Sequence, residues 1–209
     1  MGLFPLFIKN PLAFLLLVFP LLYSVIFHEI AHGLVASWFG DNTAKYSGRL
    51  TLNPIPHIDI IGALMLFFVG FGWAKPVPVN YFNLKNSRWG LIFVALAGCL
   101  ANILIAIIAI FLLQSQLIYS NPVLSAIFSI TAKINIILAA FNLIPIPPLD
   151  GSKILMGFLS EEAQASFSRI EPYGFFIIII LLFTGSLYPV IGFIQNLIYS
   201  LISLLIKLF

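Results

Sequence analysis

Long apolar runs separated by short polar segments make up most of the chain. Five of them approach or exceed the length that a helix needs to cross the hydrocarbon core of a bilayer, and they cover about residues 11–38, 89–113, 122–144, 173–187 and 189–208. A sixth run, 58–72, is shorter and contains three glycines, and proline-rich segments flank it. This pattern predicts an all-α polytopic membrane protein with about five to six transmembrane helices.

Composition and charge support a lipid-embedded chain of one domain. Hydrophobic residues make up 61% of the sequence and charged residues 8%, with a mean hydropathy of +1.11, whereas a soluble domain carries about a quarter charged residues. We expect a single domain over 1–209, with a core over about 11–155 and accessory C-terminal helices over about 173–208. The net charge of +3 is small and scattered, so we expect no nucleic-acid partner. The single cysteine, Cys99, provides no disulfide framework.

The 58–72 run either crosses the membrane or dips into it and returns. Alternating prolines and apolar residues on both sides of the run favour extended chain rather than helix. Lys133 lies within a span, which leaves nine cations to divide between the two sides. If 58–72 crosses the membrane, seven of them lie on one side and two on the other. If it returns, Lys9 lies on one side and the other eight cations on the opposite side. Both divisions satisfy the positive-inside rule, with opposite orientations. Charge alone leaves both topologies open.

The most informative polar residues lie near the end of the first long run. His28 and His32 are four positions apart, so on a helix they share a face and can hold one metal ion between their imidazoles. Glu29 lies one step round the helix, where its carboxylate can reach a water bound to that metal. Ionisable side chains at membrane depth are costly and mark a functional site. This HExxH pattern predicts a hydrolytic zinc centre inside the membrane.

A hydrolytic zinc site needs three protein ligands and one open position, and Asp150 is the best remaining donor. Three prolines before it forbid a regular helix there. Asp150 and the two histidines lie towards the C-terminal ends of their segments, so the segments must run in the same direction for the ligands to meet at one depth. That condition makes 58–72 re-entrant. It predicts a multi-pass protein of the cell membrane with its N-terminus outside and its active site nearer the cytoplasm.

Four separated stretches carry a recognisable pattern over about residues 20–155. They are HEIAHG from His28, NPIPHID from Asn53, FGWAKPVPVN from Phe71 and FNLIPIPPLDG from Phe141. Together, and in this order, they resemble the site-2 proteases, the intramembrane zinc metalloproteases. The resemblance implies membrane helices around a buried zinc, with a small β-rich re-entrant element beside the active site. It also implies a minimal form, because the chain has no room for the PDZ or CBS domains of larger members.

The resemblance also implies roles for individual residues. By it, His28, His32 and Asp150 bind Zn²⁺, Glu29 is the general base, and Asn142 lies near the scissile carbonyl. The implied activity is that of a zinc metalloendopeptidase, which hydrolyses peptide bonds in or near transmembrane segments of membrane protein substrates, as in regulated intramembrane proteolysis. The alternative is a catalytically inactive metal-binding scaffold or a transporter of the same fold, since intramembrane ionisable residues also serve ion pathways. Glu29 favours the protease, because a transporter needs no carboxylate beside the metal.

Two further polar residues have more than one possible role. Asn102 ends a Gly98–Asn102 stretch where the family often shows GPxxN, and the proline is missing here. It is a candidate for a substrate or oxyanion contact, or for an interhelical hydrogen bond. His57 lies in an irregular segment and is a rival zinc ligand, a substrate contact or a structural residue. The segment 45–80 around it is a candidate for holding an unwound substrate strand by β-addition.

Overall fold

The computed structural model describes residues 2–207, and this part of the chain forms eleven α-helices. The helices are α1 (Phe4–Lys9), α2 (Pro11–Trp38), α3 (Thr43–Tyr46), α4 (Ile60–Phe68), α5 (Ser87–Leu113), α6 (Gln116–Tyr119), α7 (Pro122–Asn142), α8 (Asp150–Phe158), α9 (Glu161–Ser168), α10 (Glu171–Phe183) and α11 (Tyr188–Lys207). Helices α2 and α7 each begin with an asparagine cap followed by a proline. Asn10 caps α2 before Pro11, and Asn121 caps α7 before Pro122.

Four helices are long and apolar enough to cross a bilayer, namely α2, α5, α7 and α11. They coincide with four of the predicted runs. The run at 173–187 forms no comparable span of its own, because α10 has 13 residues and so a length of about 20 Å against a hydrocarbon core of about 30 Å. Together with α9, from which it is bent by 62°, it passes as a fifth candidate. The prediction of five to six spans was therefore too high, and the structure supports four or five.

The predicted β-rich element is wrong, because no strand forms anywhere in residues 2–207. The first half of the region is helix α4, which Asp59 begins by accepting a hydrogen bond from the Gly62 N–H at 2.8 Å. The second half is extended, but Pro76 and Pro78 have no N–H to donate to a ladder. The chain beside the site is therefore a helix followed by an extended return. We call it the re-entrant hairpin (58–80) because its two arms lie side by side, with the Lys75 N–H donating to the His57 carbonyl at 2.9 Å.

The re-entrant hairpin enters and leaves at the same end of the bundle. Helix α4 has nine residues, about 14 Å, which is too short to cross a bilayer alone. The extended return passes so close to α4 that a Cβ on Gly62 would lie 2.1 Å from the Trp73 carbonyl oxygen. Beyond the hairpin, the Lys85 N–H donates to the Phe39 carbonyl at 2.8 Å. The end of α2 and the start of α5 therefore lie side by side.

A buried carboxylate, Asp41, fixes this junction. It accepts hydrogen bonds from the Thr43 N–H and hydroxyl, from the Asn80 N–H at 2.7 Å and from the Asn83 amide at 3.0 Å. Burial alone would raise the pKa of the Asp41 carboxyl, but these hydrogen bonds outweigh it and hold the pKa below its ordinary value. The ionised carboxylate thus ties the loop after α2 to the chain that leaves the hairpin.

Helix α5 is central to the bundle, because it packs against α2, α7 and α8. Its interface with α7 and α11 is built largely from alanine and isoleucine, with Ala106, Ala139, Ala140, Ile198 and Ile202 nearly or fully buried. Small side chains let membrane helices approach closely and gain van der Waals contact. The resulting arrangement brings the C-terminal half of α2, the middle of α5 and the start of α8 to one place.

Candidate metal centre

Three electron-pair donors converge where α2 meets the start of α8. The Nε2 atoms of His28 and His32 lie 3.0 Å apart, and Asp150 Oδ2 lies 3.1 Å from the first and 3.2 Å from the second. Both histidines are buried. In the described residues this is the one group of three or more His, Cys, Asp or Glu side chains close enough to share a metal ion. The structure thus brings together the three residues that the sequence suggested as ligands.

The opposite ring nitrogens show which atoms face the centre. His32 Nδ1 lies 2.6 Å from the Val94 carbonyl, which can only accept, so Nδ1 carries the proton and Nε2 presents a lone pair. His28 Nδ1 lies 2.6 Å from Asn102 Oδ1, which leads to the same tautomer. Two lone pairs and a carboxylate oxygen about 3 Å apart repel one another unless a metal cation or a proton lies among them.

This donor set fits zinc. Ligands of one tetrahedral zinc, each about 2.0–2.1 Å from it, lie about 3.3–3.4 Å from one another, close to the distances found here. Two imidazoles and one carboxylate are also a known catalytic combination, which leaves the fourth position open. The hydrogen bonds to Val94 and Asn102 orient the rings, as partners of metal-binding histidines generally do.

Asp150 reaches the centre because the chain turns sharply between α7 and α8. Pro145, Pro147 and Pro148 prevent α7 from continuing, and Asp150 is the first residue of α8. The next residue must be small, since a Cβ on Gly151 would lie 2.3 Å from the Leu143 carbonyl oxygen. The Asp-Gly pair therefore packs the start of α8 directly against the end of α7.

Glu29 lies between the centre and the re-entrant hairpin. Its Oε2 accepts a hydrogen bond from the Val77 N–H at 2.7 Å, and it is not one of the three converging donors. Val77 is the one residue of the Pro76–Pro78 stretch that has an N–H to give. The extended return of the hairpin thus holds the carboxylate through its backbone, next to the metal ligands on α2.

The other candidates from the sequence occupy different positions. Asn102 is fully buried and contacts His28 from behind the ring. Asn142 ends α7, and its amide donates to the Leu138 carbonyl of the same helix at 3.0 Å. His57 is 1% exposed and lies 2.9 Å, through Nε2, from the Thr51 carbonyl; it is not part of the three-residue metal group.

Two residues that shape the centre had no predicted role. Gly98 on α5 faces the rings, and a Cβ there would lie 2.4 Å from His32 Nε2 and 2.5 Å from His28 Cε1. Asn135 on α7 is fully buried and bonds Asn102 at 2.7 Å. The only available indication for Asn135 was that an amide inside an apolar span must find a hydrogen-bond partner.

A small polar cluster borders the centre on the side of α8 and α10. Lys153 Nζ forms an ion pair with Glu171 at 2.5 Å and lies 5.7 Å from the centre of the Tyr81 ring. The pKa of Tyr81 is raised to about 12. The larger cause is desolvation of its hydroxyl, and the negative charges of Asp150, Glu171 and Glu29 add to it. The Tyr81 hydroxyl therefore stays protonated and able to donate a hydrogen bond at all physiological pH values.

Comparison with known proteins points to one family. The model of peptidase family M50 matches residues 114–185. The chain is 40% identical over 186 residues to a Bacillus subtilis protein named putative zinc metalloprotease YwhC, covering 85% of each chain. It is 28% identical to putative zinc metalloprotease Rip2 of Mycolicibacterium smegmatis, over 83% of this chain and 69% of the relative, and 32% identical to putative zinc metalloprotease MJ0611 of Methanocaldococcus jannaschii, over 62% and 63%. No solved structure matches the chain.

Proposed function

The chain belongs to peptidase family M50, the site-2 protease family, and from that premise we propose that it is an intramembrane zinc metalloprotease. Its substrates are membrane proteins, cut in or near a transmembrane segment. The observation that carries the proposal is the convergence of His28, His32 and Asp150 at 3.0–3.2 Å, beside Glu29, within helices that are apolar enough to span a bilayer.

The three converging side chains hold Zn²⁺. When bound, zinc supplies a Lewis acid and lowers the pKa of a coordinated water from 15.7 to about 7. Glu29 is the proton carrier of the chain: it takes a proton from the attacking water and returns it to the leaving amine. The hydrogen bond from Val77 keeps its carboxylate in place between these two tasks.

Asn142 and Tyr81 are the chain's candidate donors to the scissile carbonyl. Donors aimed at a developing oxyanion contribute strongly to acyl transfer in water-poor sites. Asn142 can act in this way when its amide leaves the Leu138 carbonyl. Burial and the charges of Asp150, Glu171 and Glu29 raise the pKa of Tyr81, so its hydroxyl needs no change of protonation to donate.

The substrate must unwind before it is cut, because a helix conceals its carbonyl groups in intrahelical hydrogen bonds. The extended return of the re-entrant hairpin is the surface on which we place the unwound strand. Its Lys75 is held on both backbone groups, the N–H by the His57 carbonyl and the carbonyl by Arg49. Since Pro76 and Pro78 offer carbonyls but no N–H, the substrate strand supplies most of the donors.

The protein is a multi-pass membrane protein, and we propose that its N-terminus faces outward and its centre lies nearer the cytoplasm. The adjacent ends of α2 and α5 support this orientation, because the connection between α2 and α5 then returns to the side on which α2 ends. With five spans, eight of the nine cations outside the spans then share one side; with four spans, Lys207 joins Lys9 and the division is seven to two. In both cases the positive-inside rule makes the side on which α2 ends cytoplasmic.

The experiment that tests the function compares Glu29→Gln with the wild type and with Glu162→Gln, an exposed glutamate of α9. We expect all three proteins to carry one zinc by elemental analysis. In liposomes with a panel of single-span substrates, we expect the wild type and Glu162→Gln to cleave and Glu29→Gln to be inactive, because an amide cannot accept the proton. Cleavage by Glu29→Gln would disprove the general base. Zinc binding without cleavage by the wild type would favour the inactive scaffold.

A further inference from the structure

A chain of buried side chains runs from the back of His28 across three helices. Its members are Asn102 on α5, Asn135 on α7 and Ser24 on α2, and each is at most 3% exposed. We propose that Asn135 is a positioning residue: acting through Asn102, it holds His28 in the tautomer that presents Nε2 to the metal. The inference rests on the proposed role of His28 as a zinc ligand, and it is independent of the substrate.

The direction of this chain is set at its far end by groups that can only accept hydrogen bonds. The Ser24 hydroxyl donates to the Pro20 carbonyl at 2.6 Å. The Asn135 Nδ2 donates to Ser24 Oγ at 2.7 Å and to the Thr131 carbonyl at 2.8 Å. Both of its N–H groups therefore point away from α5, and its Oδ1 must face Asn102.

The same reasoning carries the direction forward to the metal ligand. Asn102 Nδ2 donates to Asn135 Oδ1 at 2.7 Å and to the Ser24 carbonyl at 3.3 Å. Its remaining atom, Oδ1, faces His28 Nδ1 at 2.6 Å, and an oxygen at that place requires the proton on Nδ1. The Nε2 atom of His28 is then left with the lone pair that the metal needs.

The bilayer makes any other orientation of these two amides costly. Reversing either amide would bring two N–H groups or two oxygen atoms face to face, and there is no water in the hydrocarbon core to compensate. The hydrogen bonds of Asn135 in the described residues go to Asn102, Ser24 and Thr131 and to none of the three metal donors, so its influence on the centre passes through Asn102. A residue two side chains away from the metal thus selects the form of a ligand.

A matched pair of substitutions separates this role from simple packing. Asn135→Leu keeps the branching and the number of heavy atoms of the side chain but removes the acceptor that fixes Asn102. Asn135→Asp keeps an oxygen facing Asn102 whether or not the carboxyl is ionised. Asn196→Leu, on an exposed position of α11, is the control for losing an asparagine from a membrane helix. If Asn135→Leu does not fold, Asn135→Ala removes the same acceptor without filling the space.

Two readouts apply to each purified variant. The ring ¹⁵N chemical shifts of metal-free protein report the tautomer of His28, which is one of only three histidines in the chain. Competition with a fluorescent chelator gives the zinc affinity. For Asn135→Leu we expect mixed His28 tautomers and an affinity lower by about 10–100-fold, the usual effect of losing a partner behind a metal ligand. Asn135→Asp and Asn196→Leu should keep the wild-type tautomer and stay within about threefold of its affinity.

Three results would overturn the proposal. The first is an unchanged His28 tautomer in Asn135→Leu, or in Asn135→Ala where that variant is used. The second is an unchanged zinc affinity in the same variant. The third is a loss of affinity that Asn135→Asp does not restore, which would assign Asn135 to packing alone. Failure of the proposed function gives a different result, because a wild type that binds no zinc shows it before any variant is made, while the tautomer in metal-free protein still tests the role of Asn135.

Discussion

Adding one methyl group at Gly98 is expected to empty the metal centre while leaving the bundle folded. The new Cβ would lie 2.4 Å from His32 Nε2 and 2.6 Å from His28 Nδ1, whereas non-bonded carbon atoms prefer about 3.5–4.0 Å. The overlap is therefore about 1 Å. Both rings are tethered at Nδ1, to Val94 and Asn102, so they cannot rotate away without breaking a buried hydrogen bond.

The size of that overlap decides which property changes most. Metal–ligand distances tolerate deviations of about 0.2 Å, so a displacement of about 1 Å destroys the donor set. Stability changes less, because alanine favours a helix over glycine by about 1 kcal/mol and the forced packing costs about 1–3 kcal/mol. We expect Gly98→Ala to lose at least about 100-fold in zinc affinity, with the loss in unfolding free energy no larger than about 2 kcal/mol.

The assay is zinc titration of the metal-free protein together with its thermal unfolding in the same detergent. Gly192→Ala on α11 is the matched control, since a Cβ there meets nothing within 4 Å, and we expect it to bind zinc as the wild type does. A Gly98→Ala protein with a full equivalent of zinc and an affinity within about twofold of the control would refute the reasoning. It would mean that the rings move freely and that their tethers do not fix the centre.

Three further expectations follow from the same geometry. Asp150→Ala should bind less than a tenth of an equivalent of zinc with its helix content unchanged, by elemental analysis and circular dichroism, and full zinc would remove Asp150 from the ligand set. Asp41→Asn should lower the unfolding free energy by about 1–3 kcal/mol at pH 7. Because the pKa of Asp41 is lower in the folded than in the unfolded protein, its stabilisation is complete above about pH 4 and disappears as the pH falls further. Equal losses of stability at pH 7 and pH 3 in thermal melts would contradict this expectation. Single cysteines at Lys45 and Lys85, in a Cys99→Ala background, should react with an impermeant thiol reagent from the same side of the membrane, and opposite labelling would mean that the hairpin crosses.

The local part of the metal centre could be predicted from the sequence. The spacing of His28 and His32 requires only helical geometry, and four charge-free turns before them showed where that helix lies. Asp150 was the best remaining donor at the end of an apolar segment, and the requirement that all ligands lie at one depth then set the direction of the segments. In the structure all three donors meet, which agrees with that reasoning, and the metal-binding and catalytic roles stay predictions for the experiments above.

The parts that could not be predicted depend on contacts between distant segments. The β-rich element was implied by the resemblance to the site-2 proteases, and the flanking prolines favoured extended chain. In the structure Asp59 caps a helix at 60–68, and the prolines deprive the return of its donors. Gly98 and Asn135 acquire their meaning only when α5 and α7 are docked behind α2. No periodicity within one helix indicates which glycine faces a histidine ring or which asparagine faces another asparagine.

The hydrogen bond between Phe39 and Lys85 has a consequence for how such a protein can change over time. Everything between these two residues, including the re-entrant hairpin, begins and ends at one point of the bundle. A loop whose ends already touch can be lengthened or replaced at a small entropic cost, about 0.6 kcal/mol for each doubling of its length. The α2–α5–α7 frame that holds the histidines need not move when this happens. The surface on which we place the substrate and the frame that binds the metal can therefore change separately, provided that the Val77 N–H continues to hold Glu29.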